Sequence, residues 1–166
     1  MENIKKINNN TEKHFTASAL IMKEGEVLLI NHKKLGVWLY PGGHVENNET
    51  PDETVIREVK EETGLDVEII SEKDDNLADT ETKVFALHQP YTILCEEIKG
   101  DLEHYHIDMV YRCKIITENS NEIINSYKKT GEIDFFGLDD LSRINLFPNF
   151  KRLIERVLKE KRYKNF

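Results

Sequence analysis

The residues with the clearest chemical potential are three glutamates and an arginine that lie close together along the chain. They are Arg57, Glu58, Glu61 and Glu62. On a helix, like charges three or four residues apart repel by about 0.2 to 0.5 kcal/mol per pair, and acids in a last helical turn oppose the helix dipole. Arg57 can reach Glu61, but one guanidinium does not neutralise three carboxylates. Hard oxygen ligands suit Mg²⁺ or Mn²⁺, so the pattern predicts a divalent-cation site, with a solvated acidic helix face as the alternative.

These charges are expected on a helix that covers residues 51–63. Thr50 can cap its first turn together with Glu53, Pro51 suits the first helical position, and Gly64 suits the residue after the end. At ~100° per residue, the glutamates lie at the edge of the helix's apolar stripe. The helix therefore presents its acids beside the core.

Two glycines stand upstream of this helix, in the segment Leu39-Tyr40-Pro41-Gly42-Gly43. Paired glycines let the backbone approach an ion or a phosphate closely and expose a carbonyl. Residues 43–65 resemble the signature of the Nudix hydrolase family, which reads Gly, five residues, Glu, seven residues, Arg-Glu-aliphatic-any-Glu-Glu-any-Gly-aliphatic. Every defined position is filled, by Gly43, Glu49, Arg57, Glu58, Val59, Glu61, Glu62, Gly64 and Leu65.

The resemblance implies a fold and a reaction. The fold is an α/β/α sandwich around a mixed β-sheet, here as a single domain over residues 1–166. The reaction is hydrolysis of a nucleoside diphosphate linked to another group, by attack of a metal-activated water, with Mg²⁺ or Mn²⁺ as cofactor.

The resemblance also assigns roles within this segment. The implied metal ligands are Glu58, Glu61, Glu62 and the Gly42 carbonyl, and the implied catalytic residues include Glu58 and Glu61. Arg57 and Glu49 are expected to orient the carboxylates, and Gly43 and Gly64 to shape the backbone.

Motifs of family subgroups narrow the substrate. The proline that marks many ADP-ribose hydrolases is replaced by Thr80, and the tyrosine of dinucleoside polyphosphate hydrolases has no counterpart at residues 81–83. Residues 28–32 lack the arginine of the coenzyme A motif. A (d)NTP or related nucleotide remains by elimination. Hydrolysis of a nucleotide sugar, a dinucleotide or an RNA 5′ end stays open, as does a ligand-sensing module without catalysis.

A second polar group follows a predicted strand between residues 104 and 111. Because strand side chains alternate, His104, His106 and Asp108 should share one face, about 7 Å apart, while Ile107 faces the core. That face could bind a substrate phosphate or a second metal ion. The alternative is a polar outer face with structural histidines.

Two further site roles need candidates. Members of the family often draw another acid from the sheet, and Glu103 is the first candidate for this catalytic acid, with Glu97 the second. Trp38 and Tyr40 alternate with Leu39, so one ring could stack on the base while the other packs in the core. Tyr40 is the substrate-binding candidate, and packing is the alternative for both rings.

Composition limits the class of protein. A chain of 166 residues that is 39% hydrophobic can bury one sizeable core. Its net charge of −8 argues against binding to duplex nucleic acid, so the expected partner is a small-molecule nucleotide, and a homodimer is compatible with the sequence. No apolar run reaches the ~20 residues of a membrane span and no secretion signal is visible, which favours the cytoplasm and reduced Cys95 and Cys113.

The remaining elements follow from periodicity. Strands are predicted over residues 15–22, 27–31, 66–71 and 132–137, and longer β segments over 83–95 and 105–117, joined by a turn at 99–101. Residues 149–161 should form an amphipathic helix, residues 72–82 a surface loop, and the first 13 residues a flexible segment.

Overall fold

A computed structural model describes residues 7–8, 10–99 and 103–160 of the chain. Within these residues the strands are β1 (Lys13–Lys23), β2 (Glu26–His32), β3 (Val37–Leu39), β4 (Gly42–His44), β5 (Val67–Ile69), β6 (Thr92–Ile98), β7 (His104–Ile115) and β8 (Ile133–Phe136). The helices are α1 (Pro51–Thr63), α2 (Ser120–Thr130) and α3 (Pro148–Lys159). Part of the predicted turn at 99–101, the end of the predicted last helix and most of the predicted flexible N-terminal segment fall outside the described residues.

The strands form one mixed sheet. Its main path runs β3-β2-β1-β7-β5, with β4 also beside β1, β6 beside β7 and β8 beside β2. The β1–β7 pair is parallel, and the other described pairs are antiparallel. The β1 strand is therefore central, and its register with β4 and β7 decides which polar residues meet.

Side chains of β1 alternate between two cores, which makes the fold a three-layer α/β/α sandwich as predicted. Ala19 and Ile21 pack in one cluster with Val55 of α1 and Ile124 of α2. On the other face of the sheet, Leu20 joins a second cluster, which includes Phe150, Ile154 and Val157 of α3. Burial on both faces explains the continuous apolar run at residues 19–22 of β1.

The α1 helix has the boundaries that the sequence predicts. Thr50 accepts a hydrogen bond from the Glu53 amide, the Glu53 side chain accepts one from the Thr50 amide, and Gly64 ends the helix with a φ of 70°. A left-handed φ is accessible to glycine without strain. These two caps fix the rotation and the length of the helix that carries the acids.

Two predictions about elements are wrong. Residues 83–91 form turns and isolated bridges rather than a long strand, and β6 begins only at Thr92. The α2 helix is absent from the sequence prediction, because its polar segment offers few buried residues, with Ile124 the one fully inside. Its C-terminal signals, Lys128 in the last turn and Gly131 in the left-handed conformation, were the available clue.

The part of the sheet beyond α1 is only partly covered. Ile107 is half-buried and its neighbour on β1, Phe15, is 59% exposed, so the prediction that Ile107 lies in the core is wrong.

The two cysteines are free, as expected, with Cys95 exposed and Cys113 buried. Among the described residues, no helix combines the length and apolar character needed to cross a membrane.

Candidate active site

The paired glycines bring α1 against the sheet by close packing. On β4, Gly42 pairs with Ser18 of β1. A Cβ atom at Gly42 would lie 2.4 Å from Ser18 Oγ, and one at Gly43 would lie 2.3 Å from Glu58 Oε1. Both distances are impossible contacts, so any side chain there would displace the strand or the carboxylate. At Gly42 the neighbours include backbone atoms of β1, so glycine is required there, whereas at Gly43 a side chain would have to displace the Glu58 carboxylate.

Arg57 organises the acids around it. Its Nε donates to Glu49 Oε1 at 2.6 Å and its Nη1 donates to Glu58 Oε1 at 2.7 Å. The contact from Nη1 to Glu61 Oε2 is longer, 3.3 Å. The Arg57 hydrogen bond holds the pKa of Glu49 down at about 2. Arg57 also donates to the carbonyl of His44, which ties the helix to β4.

Glu62 lies on the inner side of the acid group. Its Oε2 accepts a hydrogen bond from the Gly42 amide at 2.9 Å. Burial raises the pKa of Glu62, the Gly42 amide lowers it, and the charges of Glu58 and Glu61 raise it; together they bring it to about 7. The sequence prediction names the Gly42 carbonyl, whereas the contact seen in the structure comes from its amide.

The donor set fits a divalent cation. The side chains of Glu58 and Glu61 are 16% and 60% exposed, so one carboxylate is sheltered and the other is open to solvent. Among the described residues, Arg57 forms salt bridges with Glu58 and Glu61 of this group. Three carboxylate groups and one guanidinium leave excess negative charge, which hard cations with oxygen ligands compensate.

A cavity of about 390 Å³ opens on the other side of the Gly42–Gly43 strand. Its volume is in the range of small-molecule sites, roughly 300 to 1,000 Å³. It lies between the polar face of β1 and β7 and the start of α3. Its lining includes Leu35, Leu39, Tyr40, Gly42, Gly43, His44, Glu96, His106, Asp108, Phe147, Asn149 and Phe150.

Asp108 forms the floor of this cavity and is 3% exposed. Its Oδ1 accepts hydrogen bonds from Thr16 Oγ1 at 2.9 Å and Ser18 Oγ at 2.8 Å, and its Oδ2 accepts one from the Tyr40 hydroxyl at 2.7 Å. Burial, together with the charge of Asp108, raises the pKa of Tyr40 far above its ordinary value. The buried carboxylate is thus compensated by two hydroxyl donors from β1 and by one from Tyr40, which follows β3.

The two predicted stacking rings both pack. Trp38 meets Phe136 edge to face with ring centroids 4.8 Å apart, and Tyr40 meets Phe150 in the same manner at 4.7 Å. Tyr40 also lines the cavity, so it can contact a ligand there as well as pack on Phe150.

His104 and His106 lie on the same face as Asp108, with their Nε2 atoms 3.0 Å apart. The structure adds two histidines that the sequence does not connect with them, His14 and His44. Burial, together with the neighbouring histidines, lowers the pKa of His106 to about 4. The signal for this group is the parallel register of β1 and β7, which pairs His14 with His106.

The structure does not test the predicted catalytic role of Glu103, or of Glu97 as the second candidate, but it shows where these acids lie. Glu103 is exposed and does not line the cavity, and Glu97 is exposed and lies 3.7 Å from Lys99. Glu96 lines the cavity instead, because it is paired with His106 across β6 and β7, and directly paired residues share a face. Burial raises the pKa of Glu96, and Asp108 adds to the effect.

Comparison with known proteins gives consistent matches. The family model of the NUDIX domain matches residues 12–157. The chain is similar to the "Probable DHNTP pyrophosphohydrolase" of Lactococcus lactis subsp. cremoris, with 36% identity over 102 residues that cover 61% of this chain and 54% of the relative. It is similar to the "ADP-ribose pyrophosphatase" of Methanocaldococcus jannaschii, with 49% identity over 49 residues, 28% of this chain and 29% of the relative. The chain thus spans about half, or less, of these curated relatives.

A solved structure agrees over most of the chain. The crystal structure of a NUDIX family hydrolase from Clostridium perfringens has a TM-score of 0.68 and 28% identity, and the match covers 87% of this chain and 95% of that one. The activities named for the relatives differ from one another, so they do not by themselves select a substrate.

Proposed function

Because this chain belongs to the NUDIX domain family, we propose that it is a divalent-cation-dependent pyrophosphohydrolase of a (d)NTP or a related nucleotide. The observation that carries the proposal is the juxtaposition, across the Gly42–Gly43 strand, of an under-compensated group of helix acids and a cavity of about 390 Å³. A triphosphate can lie with its charged end toward the acids and its cations while its base occupies the cavity. The net charge of −8 favours a small nucleotide over duplex nucleic acid.

Glu58, Glu61, Glu62 and the Gly42 backbone are the groups proposed to hold the cation. When bound, a divalent cation neutralises phosphate charge and lowers the pKa of a water molecule. Arg57 and Glu49 are positioning residues, because the Arg57 guanidinium is bonded to Glu49 on one side and to Glu58 on the other. Their role is to hold the Glu58 carboxylate in one orientation against β4.

Glu61 is the proposed general base. It is the most exposed acid of the three whose contacts with Arg57 are described, and its Arg57 contact is the longest. Its carboxylate can therefore accept a proton from the attacking water as the oxygen bonds to phosphorus and the phosphoanhydride bond breaks. The leaving phosphate group carries the electron pair of that bond.

The cavity supplies the proposed nucleoside contacts. Phe147 and Phe150 give apolar surface for a base, and Asn149 of α3 and Glu96 of the sheet add polar groups to the lining. We propose Glu96, rather than Glu103, as the sheet acid of the site. His106, His104 and Tyr40 remain proposed substrate neighbours, with the Tyr40 hydroxyl already committed to Asp108.

A product assay over a nucleotide panel tests this proposal. Purified protein is incubated with Mg²⁺ or Mn²⁺ and each of a set of (d)NTPs, pterin triphosphate, ADP-ribose, a nucleotide sugar and a dinucleotide, and the products are separated by chromatography. We expect hydrolysis of a triphosphate that stops when EDTA is added. The identity of the products, monophosphate with pyrophosphate or diphosphate with phosphate, locates the broken bond. Faster hydrolysis of ADP-ribose than of any triphosphate would show that the proposed substrate class is wrong. Binding without turnover would show that the protein is a ligand-sensing module and not a hydrolase.

A further inference from the structure

Four histidines form a compact group on the cavity side of the sheet, and the proposed hydrolysis does not require it. They are His14, His44, His104 and His106, and one ligand-capable atom from each lies within 4.8 Å of the others. His104 and His106 are also proposed substrate neighbours, but the proposed proton transfer and cation binding use neither of them. The chain has six histidines in all, so most of them meet at this one place. Such a concentration calls for a chemical explanation.

The strand ladders build this four-histidine cluster. His14 of β1 is the parallel partner of His106 on β7, and His104 stands two residues before His106, on the same face. His44 of β4 is the antiparallel partner of Thr16, which stands two residues after His14. Backbone hydrogen bonds of three adjacent strands therefore hold the four Cα atoms in place. A ligand would meet an arrangement that is already formed.

The spacing suits a tetrahedral ion. The Nε2 atoms of His104 and His106 are 3.0 Å apart. Zinc–nitrogen bonds of about 2.0 to 2.1 Å place neighbouring ligand nitrogens of a tetrahedron roughly 3.3 Å apart. The rings of His14 and His104 have centroids 4.5 Å apart, and those of His44 and His106 are 4.8 Å apart. Small side-chain rotations can bring the four nitrogens to one ion.

We propose that the four-histidine cluster is a binding site for a transition-metal ion of the Zn²⁺ type, separate from the cation site on α1. Imidazole nitrogen suits such ions, whereas the carboxylates of α1 suit Mg²⁺. Four protein ligands fill a tetrahedral zinc shell, which is the pattern of a structural site. The ion would join β1, β4 and β7, the strands that form the cavity wall.

A neighbouring carboxylate supports this assignment. Glu12 Oε1 lies 3.3 Å from His14 Nε2. Histidine ligands of metals commonly have a carboxylate or carbonyl partner that fixes the ring orientation. The Glu12 backbone carbonyl also accepts a hydrogen bond from the Tyr105 amide, between His104 and His106. The segment before β1 is thus attached to the strand that supplies two of the four ligands.

Metal titration of the tag-free, full-length protein tests the proposal. After treatment with EDTA and its removal, Zn²⁺ is added in a calorimeter, and Co²⁺ is added in a visible-absorption titration. We expect tight binding of one Zn²⁺ per chain, the absorption of four-coordinate Co²⁺ and a higher melting temperature with Zn²⁺. The substitutions His104→Gln and His106→Gln should each weaken Zn²⁺ binding about tenfold or more.

Two control proteins separate this site from the rest of the chain. His32→Gln removes a histidine outside the cluster, and Glu58→Gln combined with Glu62→Gln removes acids of α1; both should bind Zn²⁺ like the wild type. The proposal is overturned if the wild type does not bind Zn²⁺ tightly, if neither histidine variant weakens binding, or if the glutamate variant abolishes it. Circular dichroism checks folding, and His104→Gln decides if His106→Gln does not fold. Mg²⁺-dependent hydrolysis by the wild type tests the proposed function independently.

Discussion

The acids on α1 and the acid on the floor of the cavity are held in opposite ways. Glu58, Glu61 and Glu62 crowd one helix face with a single arginine in contact, and burial raises the pKa of Glu62 to about 7. Asp108 is more deeply buried, yet three hydroxyl groups donate to it. The first group lacks compensation within the described protein, while the second is already satisfied.

This difference separates a site that needs an ion from a site that shapes a pocket. A buried carboxylate with good donors is a stable part of the structure, because its lone pairs are used. A group of carboxylates with excess negative charge is stabilised by a bound cation. Its folding stability should change little when one of the charges is removed. Substitutions in the two regions should therefore change different quantities: turnover on α1, and folding stability at Asp108.

The largest expected effect is on turnover. Glu58→Gln removes a charged ligand while the side chain keeps its size, so kcat should fall by about 10³-fold with the fold intact. The exposed acid Glu122 of α2 supplies a matched control, and Glu122→Gln should leave the kinetics unchanged. Initial rates at limiting Mg²⁺ measure both. Wild-type rates in Glu58→Gln, and also in Glu62→Gln, would contradict the assignment of the cation site.

The next effect is on stability at the cavity floor. Asp108→Ala leaves the hydroxyls of Thr16, Ser18 and Tyr40 without their shared acceptor, so the free energy of unfolding should drop by about 2 to 4 kcal/mol. Urea denaturation measures this loss. Asp139 is exposed, and its side chain makes no capping hydrogen bond to the short helical turn that follows it. Asp139→Ala should therefore change the free energy of unfolding by less than about 0.5 kcal/mol. Equal losses in both variants would mean that the Asp108 network contributes little.

The same two regions show how much the sequence could predict. The α1 site is local, because its caps, its glycines and its acids lie within residues 42–64. Spacing predicted the helix bounds and the contact of Arg57 with Glu61, and the family resemblance implied that Arg57 and Glu49 orient the carboxylates. The cavity is non-local. Thr16 and Ser18 reach Asp108 across more than 90 residues of chain, and no local pattern marks them.

Strand alternation predicted part of that non-local site and missed the rest. It correctly grouped His104, His106 and Asp108 on one face. It could not supply the neighbouring strands, and therefore missed His14, and it selected Glu103 and Glu97 where Glu96 lines the cavity. A shift of one residue in register reverses the face of every side chain, so a prediction of the pairing is needed before such sites can be read.

A smaller effect concerns pH. The pKa of Glu62 is about 7 in the folded protein and 4.5 ordinarily, so folding favours its protonated form. Its contribution to stability is fully present below pH 4.5 and is lost as the pH rises through 7. In EDTA, the free energy of unfolding should fall by about 1 to 2 kcal/mol over this window, allowing for partial exposure. Glu62→Gln should remove that part of the pH dependence, and an unchanged profile would show that Glu62 does not titrate there.

The smallest effect comes from one hydroxyl of the floor. Tyr40→Phe removes the donor to Asp108 Oδ2 but keeps the ring that packs on Phe150. Because Thr16 and Ser18 still donate to Oδ1, the loss in unfolding free energy should be about 1 kcal/mol, well below that of Asp108→Ala. The hydroxyl is engaged by the protein, so KM for the best substrate should change by less than about twofold. A large rise in KM with little change in stability would instead place the Tyr40 hydroxyl against the substrate.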